Sequence, residues 1–554
     1  MVDFDNSLLT ERRAAMIAEG HWRDETVNDH FDRNVRKTPN KQAVAGRNSQ
    51  TGEEFRLTYA ELARLVDRMA VGLHKLGLVP NDIVSCQLPN WWQFLAIYLA
   101  CSRLGVVFNP LMPIFRHREL RFMLGFAESK LVIVPSEFRG FDHLAMIEDI
   151  KPGLPALENV LAIGGAGETG FEAQLTEPEW EADPDAAHIL TANRPHPDDI
   201  MELAYTSGTT GEPKGVTHSA NTLYSNLYPF ADRIELTGED IVFMPSPLAH
   251  QTGFIYGVMF PIMLGATVVY QDIWNGRAGL DIIRDQGCTY MMGAVPFLAD
   301  LADAAEAAGQ PETLRSFLCA GAPIPSVLVE RASKSLGAIV HSGWGMSENG
   351  AVTTTAPDNA AERASTSDGC AMPGIEVRVV DESGAVLPPD AEGFLKVRGC
   401  SQFGGYHKRF EKNGIDADGW FDTGDIARMD KDGFIRISGR SKDIIIRGGE
   451  NIPVVEVEQA LYKHPAIATA AVVGYPDQRL GERACAFVTL REGASFTFED
   501  MIGFMAAREV AKQYWPEKLE VLPELPSTPS GKIQKFKLRD TAQAFGDTDQ
   551  KASG

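Results

Sequence analysis

Short apolar runs alternate with amphipathic stretches through the N-terminal part of the chain, and this alternation limits the possible folds more than any other feature. From Leu62 to Leu76 the apolar residues recur at helical spacing, and the run at 83–88 has the length of a buried strand. The same pattern recurs in the segments 91–104, 106–110, 119–127 and 131–135. Strands that alternate with helices predict mostly parallel sheets covered by helices on both faces, so the fold class is α/β.

The pattern changes twice further along the chain. Residues 370–439 contain short runs with frequent Gly and Asp, which predict a β-rich subdomain of antiparallel strands. Beyond Arg440, helical and strand-like segments predict a compact α+β unit of ordinary domain size. We therefore predict an N-terminal domain (1–439), a hinge (440–442), a small mobile C-terminal domain (443–540) and a frayed tail (541–554).

The composition is that of a soluble globular protein with at least two domains. Hydrophobic residues make up 44% and charged residues 23% of the 554 positions. A formal net charge of -23 repels nucleic acid and anionic membrane surfaces, so we expect neither as a partner. The charge does not decide whether the protein forms a homo-oligomer. The seven cysteines form no CxxC pair and the N-terminus lacks a secretory signal, which favours a reducing, cytoplasmic location.

One segment requires a test against a membrane-spanning interpretation. Residues 250–271 contain no Asp, Glu, Lys or Arg and approach the length of a span. Glycines and Pro261 interrupt the segment, and β-branched residues follow Gly265. A helix followed by a buried strand is therefore the favoured interpretation, with no stable membrane insertion.

The segment 205–216, YTSGTTGEPKGV, has the composition of a phosphate-binding loop. Hydroxyl groups, glycines that allow close backbone approach and one positive charge come from Thr206, Ser207, Gly208, Thr209, Thr210, Gly211, Lys214 and Gly215. No GxxxxGK[ST] motif occurs, so a P-loop NTPase is disfavoured. A flexible linker is the alternative, but a linker seldom places Lys and Pro among hydroxyls directly after a buried strand.

This loop resembles the signature of the adenylate-forming superfamily, which contains acyl-CoA synthetases, amino-acid adenylation domains and luciferases. Six further motifs follow in the family's order: PLAHQTGF at 247–254, CAGAPI at 319–324, WGMSE at 344–348, WFDTGD at 420–425, GRSKDIIIRGGENI at 439–452 and PSTPSGKIQK at 526–535. The resemblance covers nearly the whole chain. It implies an AMP-forming acid:CoA ligase that makes acyl-AMP and pyrophosphate from an acid and ATP, then transfers the acyl group to CoA.

The resemblance also implies a nucleotide site. Glu348, with Thr210, would hold a Mg²⁺ ion that bridges phosphates, because this ion prefers oxygen ligands and takes few from protein. Asp425 resembles the ribose ligand and Arg440 its companion, although an isolated Asp after Gly is more often a turn residue. Adenine would stack on Trp344, where most relatives carry Tyr, and would lie among Gly321, Ala322, Pro323, Gly343, Gly345, Met346 and Ser347.

Lys532 resembles the mobile lysine of the family and is the first candidate for catalysis. An ammonium group near the α-phosphate stabilises the negative charge that develops when a carboxylate attacks phosphorus. Lys535, its neighbour, is expected to be an exposed surface charge. By analogy, the C-terminal domain turns at Lys442 so that Gly448, Gly449 and Glu450 line the CoA channel. His250 resembles the gate between this channel and the acyl pocket, although a single His beside an apolar helix is often structural.

The acid is predicted to be apolar and of medium size. No acidic residue occurs between Met244 and Tyr270, where amino-acid-activating relatives carry an Asp that pairs with the substrate ammonium group. Bulky apolar side chains are expected to line the pocket: Phe254, Tyr256, Met291, Met292, Phe297 and Trp344. A finer resemblance, to medium-chain fatty acid and cyclohexanecarboxylate CoA ligases, agrees. The alternatives are a ligase that loads a carrier protein and a non-catalytic nucleotide-binding homologue.

Overall fold

The computed structural model describes most of the chain and organises it around five β-sheets. The described residues are 2, 4–206, 213–321, 324–440, 445–447, 450–452, 454–477, 480–508, 510, 512–528 and 531–552.

The strands within these residues are, in chain order, β1 Gln42–Arg47, β2 Glu54–Thr58, β3 Ile83–Cys86, β4 Val107–Pro110, β5 Leu131–Pro135, β6 Glu137–Phe138, β7 Phe141–Asp142, β8 Asn159–Ile163, β9 Ile200–Thr206, β10 Lys214–Ser219, β11 Ile241–Met244, β12 Thr267–Gln271, β13 Tyr290–Gly293, β14 Ser316–Cys319, β15 Ile339–Met346, β16 Gly350–Thr354, β17 Cys370–Ala371, β18 Ile375–Val380, β19 Gly393–Gly399, β20 Gly405–Tyr406, β21 Phe421–Met429, β22 Ile435–Arg440, β23 Ile445–Arg447, β24 Glu450–Ile452, β25 Ile467–Asp477, β26 Gly481–Leu490 and β27 Lys518–Val521.

The α-helices are α1 Ser7–Ala18, α2 Val27–Lys37, α3 Tyr59–Lys75, α4 Trp92–Arg103, α5 His117–Ala127, α6 His143–Ile150, α7 Ala186–Ala192, α8 Ala220–Ile234, α9 Gln251–Phe254, α10 Phe260–Leu264, α11 Gly276–Gln286, α12 Val295–Ala308, α13 Ser326–Leu336, α14 Ala360–Arg363, α15 Val454–Tyr462, α16 Phe498–Ala507 and α17 Lys535–Ala552. A π-helical turn, Ile255–Met259, joins α9 to α10.

Two large sheets form the N-terminal part of the molecule. The nine-stranded sheet has the order β17-β16-β15-β14-β13-β11-β12-β1-β2, and the seven-stranded sheet has the order β20-β10-β9-β4-β3-β5-β8. Neighbours from β15 to β1 in the first sheet, and from β9 to β8 in the second, run parallel. The predicted α/β class with mostly parallel, helix-covered sheets is therefore confirmed.

The segment tested for a membrane span folds into the interior. Helices α9 and α10 with the π-turn between them lead into β12, whose residues are all buried. Their side chains join a core that draws on both large sheets and on helices α4 and α8. Among the described helices, none combines the length and the apolar character needed to cross a bilayer.

An antiparallel sheet and a separate α+β unit follow, as the sequence predicted. Strands β18, β19, β21 and β22 form the four-stranded antiparallel sheet. In the last unit, β25 and β26 pair over their full lengths, and β23, β24 and β27 extend the sheet. One face of this sheet packs against α15 and α16, and the other packs against α17.

Two expectations about the C-terminal segment are wrong. Helix α17 runs through most of the predicted frayed tail, and Ala542 is fully buried while the ring of Phe545 lies 6.2 Å from that of Tyr475. Lys535, expected to be an exposed charge, has a side chain only 20% exposed, and its Nζ lies 2.7 Å from Oε1 of Glu458. Ala542, Phe545 and Lys535 therefore help to attach the last helix to its domain.

Candidate active site

The hairpin β9–β10 carries the predicted phosphate loop on the edge region of the seven-stranded sheet. Thr206 ends β9 and lies opposite Lys214, the first residue of β10. The Nζ atom of Lys214 lies 4.2 Å from the ring centroid of Tyr406, which is in β20 beside β10. A lysine and a hydroxyl thus flank the loop where its two strands meet.

Several predicted site residues lie outside the part of the chain that the structure describes: Ser207, Gly208, Thr209, Thr210, Ala322, Pro323, Lys442, Gly448 and Gly449.

The WGMSE motif forms the end of β15 and the turn that leads into β16. Gly345 is required there, because a Cβ atom at this position would overlap the carbonyl oxygen of Gly350. Glu348, in the turn, is only 7% exposed, and its Oε1 accepts a hydrogen bond of 2.6 Å from the hydroxyl of Tyr406. Its carbonyl oxygen accepts a second bond, of 2.8 Å, from the amide of Phe403. The carboxylate is therefore held in one orientation.

Glu348 fits the magnesium role that the resemblance implies. One carboxylate oxygen is used by Tyr406, and a hard cation that keeps several waters needs only one or two carboxylate ligands. Within the described residues, no group of three or more His, Cys, Asp or Glu side chains is arranged to hold a metal ion.

Asp425, Trp344 and Arg440 come together as the sequence predicted. Oδ2 of Asp425 accepts a hydrogen bond of 2.9 Å from Nε1 of Trp344, and Oδ1 forms an ion pair with Nε of Arg440 at 3.0 Å. Asp425 is 4% exposed, and this burial raises the pKa of its carboxyl, while Arg440 and Lys532 oppose that rise. The cluster places one oriented carboxylate beside the motif expected to bind adenine.

Backbone segments predicted around the adenine also lie side by side. Gly321 is exposed with φ of 90° and follows β14, while Gly343 lies in β15, the next strand of the sheet. The two strands pair in register through Cys319 and Ser342. Glu450, predicted near the CoA channel, begins β24 in the separate C-terminal sheet.

Lys532 lies in a tight turn that reaches the N-terminal part of the molecule. Gly531 has φ of 82°, a conformation that favours glycine, and its amide donates to the carbonyl of Thr528 at 2.8 Å. A Cβ atom at Gly531 would lie 3.0 Å from Cγ of Pro296, so the turn rests on the start of α12. Burial is the main cause of the pKa shifts of His250 and Asp425; the positive charge of Lys532 adds to the lowering of the His250 pKa and opposes the rise of the Asp425 pKa.

His250 precedes α9 as its N-cap. Its Nδ1 accepts a hydrogen bond from the amide of Thr252 at 3.3 Å. Burial, with a smaller contribution from Lys532, lowers the pKa of His250 to about 4. The imidazole is therefore neutral at physiological pH.

Sequence reasoning missed two residues that hold the site together, His218 and Tyr406. His218 donates from Nε2 to the carbonyl oxygen of Ser347 at 2.7 Å, and Tyr406 donates to Glu348. Strand alternation from Lys214 could have placed His218 on the same face as that lysine. No spacing rule connects Tyr406 with β10, because only the folded sheet brings them together.

The side chains predicted to line the acyl pocket belong to two separate apolar clusters. Phe254, Tyr256 and Met292 belong to the central core, whereas Met291 and Phe297 pack in a cluster with α11, α12 and α13. Consecutive residues of a strand point to opposite faces, so Met291 and Met292 cannot line one cavity. The predicted residues therefore do not all line one pocket, because Met291 and Met292 lie on opposite faces of β13; the place of Phe297 stays a prediction.

Comparison with known families and proteins agrees with this geometry. The family model described as AMP-binding enzyme matches residues 31–407, and the model of the AMP-binding enzyme C-terminal domain matches residues 456–532. The two models thus match both the N-terminal and the C-terminal part of the chain.

Three similar proteins illustrate the range of relatives. A medium-chain fatty-acid–CoA ligase of Escherichia coli (strain K12) is 36% identical over 96% of this chain and 92% of its own. A salicylyl-CoA synthase / salicylate adenylyltransferase of Streptomyces sp is 33% identical over 89% of this chain and 91% of its own. The solved structure of an anthranilate CoA ligase in complex with anthranoyl-AMP matches with a TM-score of 0.84 and 25% identity, over 95% of this chain and 98% of the other.

Proposed function

The chain belongs to the AMP-binding enzyme family and is an AMP-forming acid–CoA ligase, and from that premise we propose that it activates medium-chain aliphatic or alicyclic acids. Its substrates are the acid, ATP and CoA. The observation that carries the proposal is the 36% identity, over 96% of this chain, to a medium-chain fatty-acid–CoA ligase, and the segment between Met244 and Tyr270 that contains no acidic residue agrees with it.

In the first half-reaction, the carboxylate of the acid attacks the α-phosphorus of ATP and pyrophosphate leaves. Asp425 accepts the ribose hydroxyls while Arg440 and Trp344 hold its orientation, and Lys214 with the loop hydroxyls binds the phosphates. Lys532 stabilises the charge that develops on the α-phosphate oxygens. Mg²⁺ on Glu348 would neutralise phosphate charge when bound.

In the second half-reaction, the CoA thiol attacks the acyl-AMP carbonyl and AMP leaves. Lys532 must then withdraw, and we assign that movement to rotation of the C-terminal domain (443–540) about Lys442. Gly448, Gly449 and Glu450 would then line the CoA channel. Neutral His250 suits a gate beside an uncharged thioester product, because a buried imidazolium would carry an uncompensated charge.

Aromatic packing supports an acid of limited size. The ring of Tyr256 lies 4.7 Å from that of Phe230 and 6.2 Å from that of Phe260. The Tyr256 hydroxyl donates to Oδ1 of Asn226 at 2.8 Å, so this side chain is fixed by both packing and hydrogen bonding. In our proposal Tyr256 closes the acyl pocket, and a fixed aromatic ring at that position limits the length of the acid while it accommodates a saturated ring such as cyclohexanecarboxylate.

The proposal is tested with a panel of acids from acetate to palmitate, together with cyclohexanecarboxylate, benzoate and salicylate. AMP production that requires both ATP and CoA is measured. We expect kcat/KM to peak at aliphatic acids of about six to ten carbons or at cyclohexanecarboxylate. Palmitate should fall at least about tenfold below the peak, the scale of discrimination that pocket size provides.

Two results would overturn the substrate assignment while leaving the ligase activity intact. One is a peak at acetate or palmitate, and the other is a peak at benzoate or salicylate. A parallel assay replaces CoA with a phosphopantetheinyl carrier protein. Acid-dependent pyrophosphate release with acyl transfer only to that protein would instead support the carrier-loading alternative.

A further inference from the structure

Two buried ionisable side chains face each other on the hairpin that carries the phosphate loop. Glu202 in β9 lies directly opposite His218 in β10, in the cross-strand register of the pair. Both side chains are 0% exposed. The mechanism described above gives neither of them a contact with substrate.

His218 connects the hairpin to the Glu348 turn. A carbonyl oxygen can only accept, so the bond to Ser347 places the imidazole proton on Nε2, and Nδ1 lies 3.0 Å from the hydroxyl of Thr222. Burial lowers the pKa of His218 to about 4, so the ring stays neutral and keeps this arrangement. Ser347 directly precedes Glu348, whose orientation therefore depends on His218 as well as on Tyr406.

Glu202 connects the same hairpin to the His250 turn. Nε2 of Gln251, the first residue of α9, donates to Oε2 of Glu202 at 3.0 Å. The Oε1 atoms of both side chains are buried and have no hydrogen-bond partner among the residues that the structure describes. Gln251 directly follows His250, so a displacement of Glu202 would be transmitted to the imidazole.

Stability alone does not explain a carboxyl group at this position. Burial raises the pKa of Glu202 to about 8, which shows that the surroundings disfavour its charged form. Tyr98 from α4 interacts electrostatically with Glu202, and His218 lies opposite it in β10, but neither side chain supplies a positive charge at neutral pH. An apolar side chain would avoid this cost, so the polar contact to Gln251 requires a reason other than packing.

We propose that Glu202 and His218 are positioning residues through which the phosphate-loop hairpin sets the His250 turn and the Glu348 turn. Glu202 acts through Gln251 on His250, and His218 acts through Ser347 on Glu348. His218 therefore affects adenylation, and Glu202 affects thioester formation. This proposal rests on the proposed function, because it assumes that Glu348 serves adenylation and that His250 serves thioester formation.

The test measures the two half-reactions separately in the full-length protein. Acid-dependent pyrophosphate release reports adenylation, and acyl-CoA formation from supplied acyl-AMP and CoA reports the second step. Glu202→Leu is expected to slow the second step about tenfold while adenylation changes less than about threefold. His218→Phe should raise the KM for ATP about tenfold and leave the second step within about threefold of the wild-type rate.

Conservative variants and a matched control separate positioning from general destabilisation. Glu202→Gln and His218→Gln retain a group that can make the same hydrogen bond, so both should restore most of the activity. Leu203→Ala changes the neighbouring buried residue, whose side chain points to the opposite face of β9. This control should lower Tm without changing the ratio of the two half-reactions.

The proposal is overturned if Glu202→Leu and His218→Phe change both half-reactions equally, as Leu203→Ala would. If Glu202→Leu fails to fold, Gln251→Leu removes the same contact from the other side, and an unchanged second step in that variant also overturns the proposal. Wild-type protein that activates no acid at all contradicts the proposed function instead, so the two failures are distinguishable.

Discussion

At the scale of single residues, the site depends on charges whose partners come from distant parts of the chain. Asp425 is oriented by Trp344, 81 positions earlier in the chain, and the two atoms that bond lie 2.9 Å apart. Lys532 approaches this carboxylate from the last tenth of the sequence. The ammonium group therefore reaches the reacting atoms only if the C-terminal turn is in place.

Replacing Lys532 with Ala should abolish most adenylation and spare thioester formation. Loss of one preorganised charge at a developing oxyanion lowers the rate about 100- to 1000-fold, and the lysine serves only the first half-reaction. Pyrophosphate release from acid and ATP, compared with acyl-CoA formation from supplied acyl-AMP, measures the difference. Lys537→Ala is the matched control, because Lys537 is exposed on the same segment. Equal loss of both half-reactions would falsify the assignment.

The sequence was most informative where a motif itself contains the functional group. The Asp425, Trp344 and Arg440 cluster was predicted because each residue stands inside a recognisable motif. His218 and Tyr406 were not predicted, because their hydrogen bonds to Ser347 and Glu348 depend on which strands are neighbours in the sheet and not on the spacing of residues along the sequence. Met291 and Met292 could have been assigned to opposite faces from the sequence, because consecutive residues of a strand alternate.

At the scale of elements, helix α17 is the clearest departure from the sequence-based expectation. Its C-terminal half is small and polar, which suggested a frayed tail. Leu538, Ala542 and Phe545 nevertheless recur at spacings of four and three residues, and this narrow apolar stripe packs against β25. Tertiary contact therefore stabilises a helix whose composition alone predicts little structure.

Ala542→Asp should destabilise the C-terminal unit. The substitution places an unpaired carboxylate at a position with no exposed surface, at a cost of at least about 2 kcal/mol. Thermal unfolding followed by circular dichroism measures the loss. Gln543→Asp is the control, because Gln543 is exposed on the same helix, and this variant should keep the wild-type Tm. Equal Tm values for the two variants would show that α17 does not depend on this contact.

Most other elements could be predicted because their periodicity is strong. The helix expected at 62–76 is α3, the segment 91–104 contains α4, and the run at 131–135 is β5 in full. The order of strands within each sheet could not be predicted, because it is fixed by long-range packing that no local pattern records.

At the scale of the whole molecule, buried histidines link stability to pH. Burial lowers the pKa of six of them to about 4: His30, His143, His218, His250, His341 and His407. The ordinary pKa of a histidine, which applies in the unfolded chain, is 6.5. The unfolded state therefore binds more protons between these values, and the stability present above pH 6.5 is lost as the pH falls toward 4.

Tm should therefore fall progressively between pH 6.5 and 4 and should not show this histidine-linked loss above pH 6.5. Calorimetry across that range measures the decline, and His143→Gln should reduce its slope because one buried imidazole is removed. A Tm that stays constant from pH 6.5 to 4.5 would contradict the linkage.

The separate cores of the molecule have a consequence for movement. Every described member of the two apolar clusters in the C-terminal unit comes from residue 445 onward, so that unit shares no core with the rest. The charged contact between Arg428 and Glu456, at 3.2 Å, joins β21 to α15 through side chains that are both about half exposed. Water can replace such an ion pair at little free-energy cost. The rotation that we propose between the two half-reactions would therefore break this exposed ion pair and leave the apolar cores of both units packed.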